Sequence, residues 1–103
     1  MSLDLAVLDD KGGPLHEVPV SAVSHSELMR QAEALNLHQL LRMGDFYRDV
    51  DYTAQETQRL QQETKELAAK CSGNPELCTL IGHLEGLMNF AVNNNKSVVA
   101  IAD

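Results

Sequence analysis

Apolar residues follow two different periods along this chain. Near its two ends they alternate with polar residues or run almost unbroken, which predicts strands over Leu3–Leu8, Leu15–Val20 and Ser97–Ala102. The turn sequence DDKGGP separates the first two strands, so we expect them to form a hairpin. Pro19 has no N–H to donate to a neighbouring strand, which places the second strand at an edge of the sheet.

Between the strands the apolar residues recur at helical spacing. The most apolar helix is predicted for Glu76–Val92, directly after Pro75. Its broad apolar face contains Leu77, Leu80, Ile81, Leu84, Leu87, Met88, Ala91 and Val92. Few polar residues occupy the rest of its surface, so we predict that it is the buried central helix of the core.

Two capping boxes predict where earlier helices begin. Ser24–Glu27 has the S-x-x-E pattern and predicts a helix that ends near Asn36. Leu37–Met43 predicts a further short helical turn, closed by Gly44.

The second capping box is Thr53–Glu56, and it predicts a surface helix from about Ala54 to Cys71. Between the two helical regions, Asp45–Tyr52 is either a loop or a short additional strand. The element order is therefore β-β-α-α-α-β in a single domain over residues 1–103. We predict an α+β fold in which helices pack on one face of a three-stranded sheet, with the N- and C-terminal strands as neighbours.

The net charge of −7 narrows the classes of partner. Nucleic acid and anionic membrane surfaces would be repelled, whereas a basic protein would be attracted. The longest apolar stretch is too short to span a membrane. Asp4 interrupts the only apolar run near the N-terminus, so we expect no secretion signal and predict a cytoplasmic protein.

The sequence contains no pattern typical of a catalytic, metal or cofactor site. No two histidines are spaced i, i+4, no C-x-x-C pair occurs, and no serine has a G-x-S-x-G setting. We therefore predict a protein that is not an enzyme and uses no metal or cofactor. Without a secretion signal, Cys71 and Cys78 are expected to be reduced thiols, although a disulfide across the loop between them is geometrically possible.

Gly82 and Gly86 lie on one face of the predicted central helix. Glycine inside a helix costs about 1 kcal/mol relative to alanine, so it usually has a packing or binding reason. Close internal packing is the simpler explanation. The alternative is that this face binds a second chain, for instance in a homodimer.

Aromatic and acidic residues are interleaved between positions 45 and 56. The candidate partner-binding residues are Asp45, Tyr47, Asp49, Asp51, Tyr52 and Glu56. Tyrosine is a frequent interface anchor, and surrounding carboxylates complement a basic partner. Alternation in an extended segment predicts that Tyr47, Asp49 and Asp51 are at least partly exposed, while Phe46 and Val50 point inward with Arg48 on their side. The alternative is that the aromatic residues only close the core.

Three stretches of the chain, MSLDLAVLDD, LLRMGDFYRDVDYTAQE and KSVVAIAD, resemble a family of small acidic bacterial proteins. Similar small acidic proteins are often immunity proteins, which bind and block a toxin. The resemblance implies an acidic inhibitor that binds a basic bacterial toxin directly. A structural or adaptor module that acts as a homo-oligomer is the alternative hypothesis.

Overall fold

A computed structural model describes residues 2–102 as four helices and one four-stranded antiparallel sheet. In chain order the elements are β1 (Leu3–Leu8), β2 (Pro14–Val20), α1 (Ala22–Ala34), α2 (His38–Leu41), β3 (Val50–Asp51), α3 (Ala54–Lys70), α4 (Pro75–Asn93) and β4 (Val99–Ala102). The strand order is β2-β1-β4-β3. The α+β class agrees with the prediction, but the predicted three-stranded sheet is wrong, because β3 pairs with β4 as a fourth strand.

The pairing in the sheet aligns its buried residues. Leu5 on β1 lies opposite Val18 on β2 and Ala100 on β4, and all three are buried. Glu17 and Ile101, which have the opposite parity, are exposed, whereas Ala6 on the central strand β1 is buried on that face as well. Because side chains alternate between the faces of a strand, one face of the sheet carries the core and the other faces outward. As predicted, β1 and β4 are neighbours and β2 is an edge strand.

Helix α4 is the centre of the core, as its composition predicts. It packs against β1 and β2 and also against α1 and α3. Its buried residues are Leu77, Leu80, Ile81, Leu84, Leu87, Met88 and Ala91. Pro75 is its first residue, and the Asn74 side chain caps it by accepting a hydrogen bond from the Leu77 N–H (3.1 Å). None of the helices described over residues 2–102 is long and apolar enough to cross a membrane.

Of the two helix starts predicted from capping boxes, one is confirmed. At α3, Thr53 and Glu56 form both hydrogen bonds of the capping box. The predicted start of α1 at Ser24 is wrong, because Ser21 is the N-cap and accepts from the Ser24 N–H (3.2 Å). Glu27 is therefore free to form an ion pair with Arg30 on the next turn (2.7 Å).

Cys71 and Cys78 are joined by a disulfide, contrary to the expectation of two thiols. The bond links the end of α3 to the first turn of α4 across a short turn in which Gly73 has a positive φ of 77°. Disulfides persist mainly in oxidising compartments. The disulfide therefore does not support the cytoplasmic location, which stays a prediction from the sequence.

Candidate protein-binding surface

The loop from Met43 to Val50 is fixed to the core at both ends. At its start, His25 in the first turn of α1 is buried, and its Nε2 lies 2.6 Å from the carbonyl oxygen of Met43. Because a carbonyl only accepts, this nitrogen carries the proton. At the other end, Val50 is buried and pairs with Ala100 of β4.

Two further contacts shape the middle of this loop. The Phe46 ring packs edge-on against His25, with the centroids 5.1 Å apart, and adjoins the core. The Asp45 carboxylate accepts a hydrogen bond from the Tyr47 N–H (2.9 Å). The backbone therefore turns at residues 45–48, and the Arg48 N–H donates to the Asp45 carbonyl (3.3 Å).

Tyr47 is the most exposed aromatic side chain of the described chain, with 68% of its surface accessible. Its ring lies edge-on to Phe46, with a centroid distance of 5.4 Å. The predicted exposure of Tyr47, Asp49 and Asp51 is confirmed, as is the inward position of Phe46 and Val50. The reasoning from an extended segment fails at residues 45–48, which form a turn and leave the side chain of Arg48 exposed.

Tyr52 does not belong to this exposed surface, although the sequence pattern placed it there. Only 2% of its surface is accessible, and its hydroxyl donates to the carbonyl of Gln39 (2.6 Å). The Arg42 guanidinium lies 4.6 Å from the centre of its ring. Burial raises the pKa of Tyr52 above its ordinary value, so the phenol stays protonated as a donor.

Glu56 is also occupied within the fold. Its carboxylate accepts from the Thr53 N–H (2.9 Å) and lies 3.1 Å from Arg42. The Thr53 hydrogen bond lowers the pKa of Glu56, as does the nearby Arg42. Of the six predicted residues, the structure leaves Asp45, Tyr47, Asp49 and Asp51 exposed. Asp49 is partly engaged, because it accepts from the Ala102 N–H (2.7 Å).

A shallow depression lies beside Tyr47, between α1 and the loop. Met29 and Phe46 contribute apolar surface to it, and Glu33 and Asp45 contribute carboxylates. Sequence reasoning missed the two α1 residues, because their helical spacing predicts only a face of α1 and does not show which loop lies beside it.

A second groove runs between β2 and α4, where Gly82 and Gly86 lie next to His16 and Pro19. Both glycines are exposed, and a Cβ added to either would meet no heavy atom within 4 Å outside its own helix turn. The preferred explanation from sequence, close internal packing, is therefore wrong.

The described residues supply no group suited to metal binding. Among residues 2–102, no cluster of three or more His, Cys, Asp or Glu side chains could hold a metal ion. Comparison with protein-family models, curated proteins and solved structures found no match. The case for a function therefore depends on the geometry of the surface around Tyr47.

Proposed function

We propose that this protein is an acidic, immunity-type inhibitor that blocks a basic bacterial toxin by binding it directly. The observation that carries the proposal is Tyr47, a 68% exposed aromatic side chain on an anchored loop. Asp45, Asp49 and Asp51 lie on the same segment of the chain and are also exposed. Large aromatic residues at the centre of an interface supply much of its binding free energy.

The charge of the protein supports a basic partner. The net charge of −7 attracts a cationic protein over a distance and raises the rate of encounter. The Arg42 side chain is paired with Glu56, and Arg30, which lines the depression beside Tyr47, is paired with Glu27. Arg48 is the remaining basic residue of the segment, so carboxylates outnumber free cations on this surface.

The anchoring of the loop also favours binding. Ordering a flexible loop on association costs free energy, which lowers affinity. Here the His25 hydrogen bond, the inward Phe46 and the paired Val50 hold the loop before a partner arrives. Tyr47 is thus presented on a preformed surface.

A pulldown from the source cells, with the purified protein as bait, tests this proposal. We expect a basic protein to be retained at low salt and released as the salt concentration rises. Tyr47→Ala should weaken binding by about 2 kcal/mol, or roughly 30-fold, if this residue is an anchor. It should change the free energy of unfolding by less than about 0.5 kcal/mol.

The matched control is Leu15→Ala, which truncates another exposed apolar residue, 47% accessible, on β2. It should leave partner binding unchanged. Equal losses from Leu15→Ala and Tyr47→Ala, or no retained protein in repeated pulldowns, would contradict the proposed inhibitor.

The second candidate function is a structural module that acts as a homo-oligomer, and the open groove at Gly82 and Gly86 favours it. Small residues on a helix let another backbone approach closely, and β2 is an edge strand that can pair with another chain. Light scattering over a range of protein concentrations separates the two candidates. A monomer at every concentration eliminates the homo-oligomer.

A further inference from the structure

We infer that the depression beside Tyr47 receives an arginine side chain of the basic partner. This inference rests on the proposed function and names the chemical group that the site binds.

The floor of the depression suits the stem of a long side chain. Met29 on α1 and Phe46 on the loop are both half-buried, and Tyr47 forms one wall. The Phe46 and Tyr47 rings are perpendicular, with an interplanar angle of 90°. An arginine stem can cover the methionine while the guanidinium lies against an aromatic ring.

The rim carries carboxylates that have no basic partner within the described residues 2–102. Glu33 and Asp45 are both exposed, and neither forms an ion pair there. One oxygen of Asp45 accepts from the Tyr47 N–H, which leaves its second oxygen available. A positively charged group from another molecule would compensate both carboxylates.

Arg30 also lies at the rim, but it does not compensate the charges of Glu33 and Asp45. Its Nε and Nη2 both donate to the Glu27 carboxylate, at distances between 2.7 and 3.1 Å. This paired arrangement neutralises Glu27 as well as Arg30. The uncompensated charge of the depression is therefore negative.

Arginine fits this combination better than lysine does. Its planar guanidinium has five donors, can bridge carboxylates and stacks on aromatic rings. Lysine supplies a strongly hydrated point charge without a stacking surface. A second copy of this chain is a poor occupant, because it also carries a net charge of −7.

Nuclear magnetic resonance titration of the full chain tests the inference with three small probes. These are N-acetyl-arginine methylamide, the lysine analogue, and the citrulline analogue, which keeps the planar shape without the charge. We expect saturable shifts of the Met29 methyl and Tyr47 ring signals with the arginine probe. The lysine probe should bind more weakly, and the citrulline probe should produce no saturable shift.

Two variants that each remove one negative charge show whether the arginine probe binds at the depression. Glu33→Gln should weaken the arginine probe about threefold, as expected for one exposed charge pair. Asp10→Asn removes a carboxylate from the β1–β2 turn and should leave binding unchanged. Equal effects of the two variants, equal shifts with citrulline or lysine, or no shift at Met29 would each overturn the inference.

The outcomes separate this inference from the proposed function. A partner that is lost in Tyr47→Ala, together with an arginine probe that leaves Met29 unaffected, overturns the arginine site and supports the inhibitor. Saturable arginine binding, together with pulldowns that retain no partner, supports the site and overturns the inhibitor.

Discussion

Replacing Gly82 and Gly86 by alanine tests whether these glycines serve the fold. Both lie inside α4, and neither has a positive φ. A Cβ at either position would meet no heavy atom within 4 Å outside its own helix turn. Alanine should therefore fit without strain and reduce the conformational entropy of the unfolded chain.

The expected gain follows from these observations. Each Gly→Ala change in an unobstructed helix interior should add about 0.5–1 kcal/mol to the free energy of unfolding. The double variant should gain about 1–2 kcal/mol if the two effects add. For a domain of this size, that corresponds to an increase in Tm of roughly 4–15 °C.

Urea unfolding followed by far-ultraviolet circular dichroism measures the gain, and Gly12→Ala is the matched control. Gly12 also has nothing within 4 Å of an added Cβ, but its φ is 81°. Alanine at Gly12 should therefore destabilise the protein by about 1 kcal/mol or more. A double variant of Gly82 and Gly86 that is less stable than the native chain would refute the reasoning. Loss of self-association in that variant alone would support the homo-oligomer.

Three further predictions concern buried or covalent links within the fold. Tyr52→Phe should cost about 1 kcal/mol at neutral pH by removing a buried hydrogen bond. Burial raises the pKa of Tyr52 in the folded state above the ordinary value of about 10. The contribution of this hydroxyl to the free energy of unfolding is therefore complete below about pH 10 and declines at higher pH. Urea unfolding at alkaline pH should show a smaller loss of stability in the variant than in the native protein. Thr57→Val should cost about 1–3 kcal/mol in the same assay, because it leaves the buried Val98 N–H without an acceptor, and an unchanged midpoint would contradict this role. Replacing Cys71 and Cys78 together by serine should lower the free energy of unfolding by about 2.5 kcal/mol, the entropic value for so short a loop, and the reduced native protein should show the same loss.

The sheet shows which strands the sequence can reveal. β1 has the predicted bounds, because Leu3, Leu5 and Val7 alternate along it and a turn sequence follows. β3 contains 2 residues, which is too short for any alternation to identify. It exists because Val50 pairs with Ala100 on β4, a contact between residues that are distant in sequence.

The start of α1 shows a different limit. Ser21 and Ser24 are one helical turn apart, so a capping serine at either position leads into the same apolar face. The S-x-x-E pattern favours Ser24, but Ser21 is the N-cap, and the Glu27 carboxylate pairs with Arg30 instead of closing a capping box. Local pattern alone does not choose between competing caps when a neighbouring ion pair can take one partner.

The candidate site was predictable only where the local sequence determines whether a side chain is exposed. The exposed Tyr47 and the inward Phe46 and Val50 agree with the alternation, but residues 45–48 form a turn, so Arg48 is exposed against it. Tyr52 differs because a carbonyl on α2 satisfies its hydroxyl, so burial costs it no hydrogen bond. The depression beside Tyr47 needs Glu33 of α1 next to Asp45, and only the tertiary fold brings these together.

The arrangement of the loop decides which substitutions report on binding alone. The loop is held by His25, Phe46 and Val50, whereas the Tyr47 side chain is mostly exposed, so truncating Tyr47 removes contact surface and keeps these anchors. Asp49 is a poorer reporter, because its carboxylate accepts from the Ala102 N–H and fastens the loop to β4. A binding loss in an Asp49 variant would combine a lost charge with a loosened loop, and only the Tyr47 result distinguishes recognition from folding.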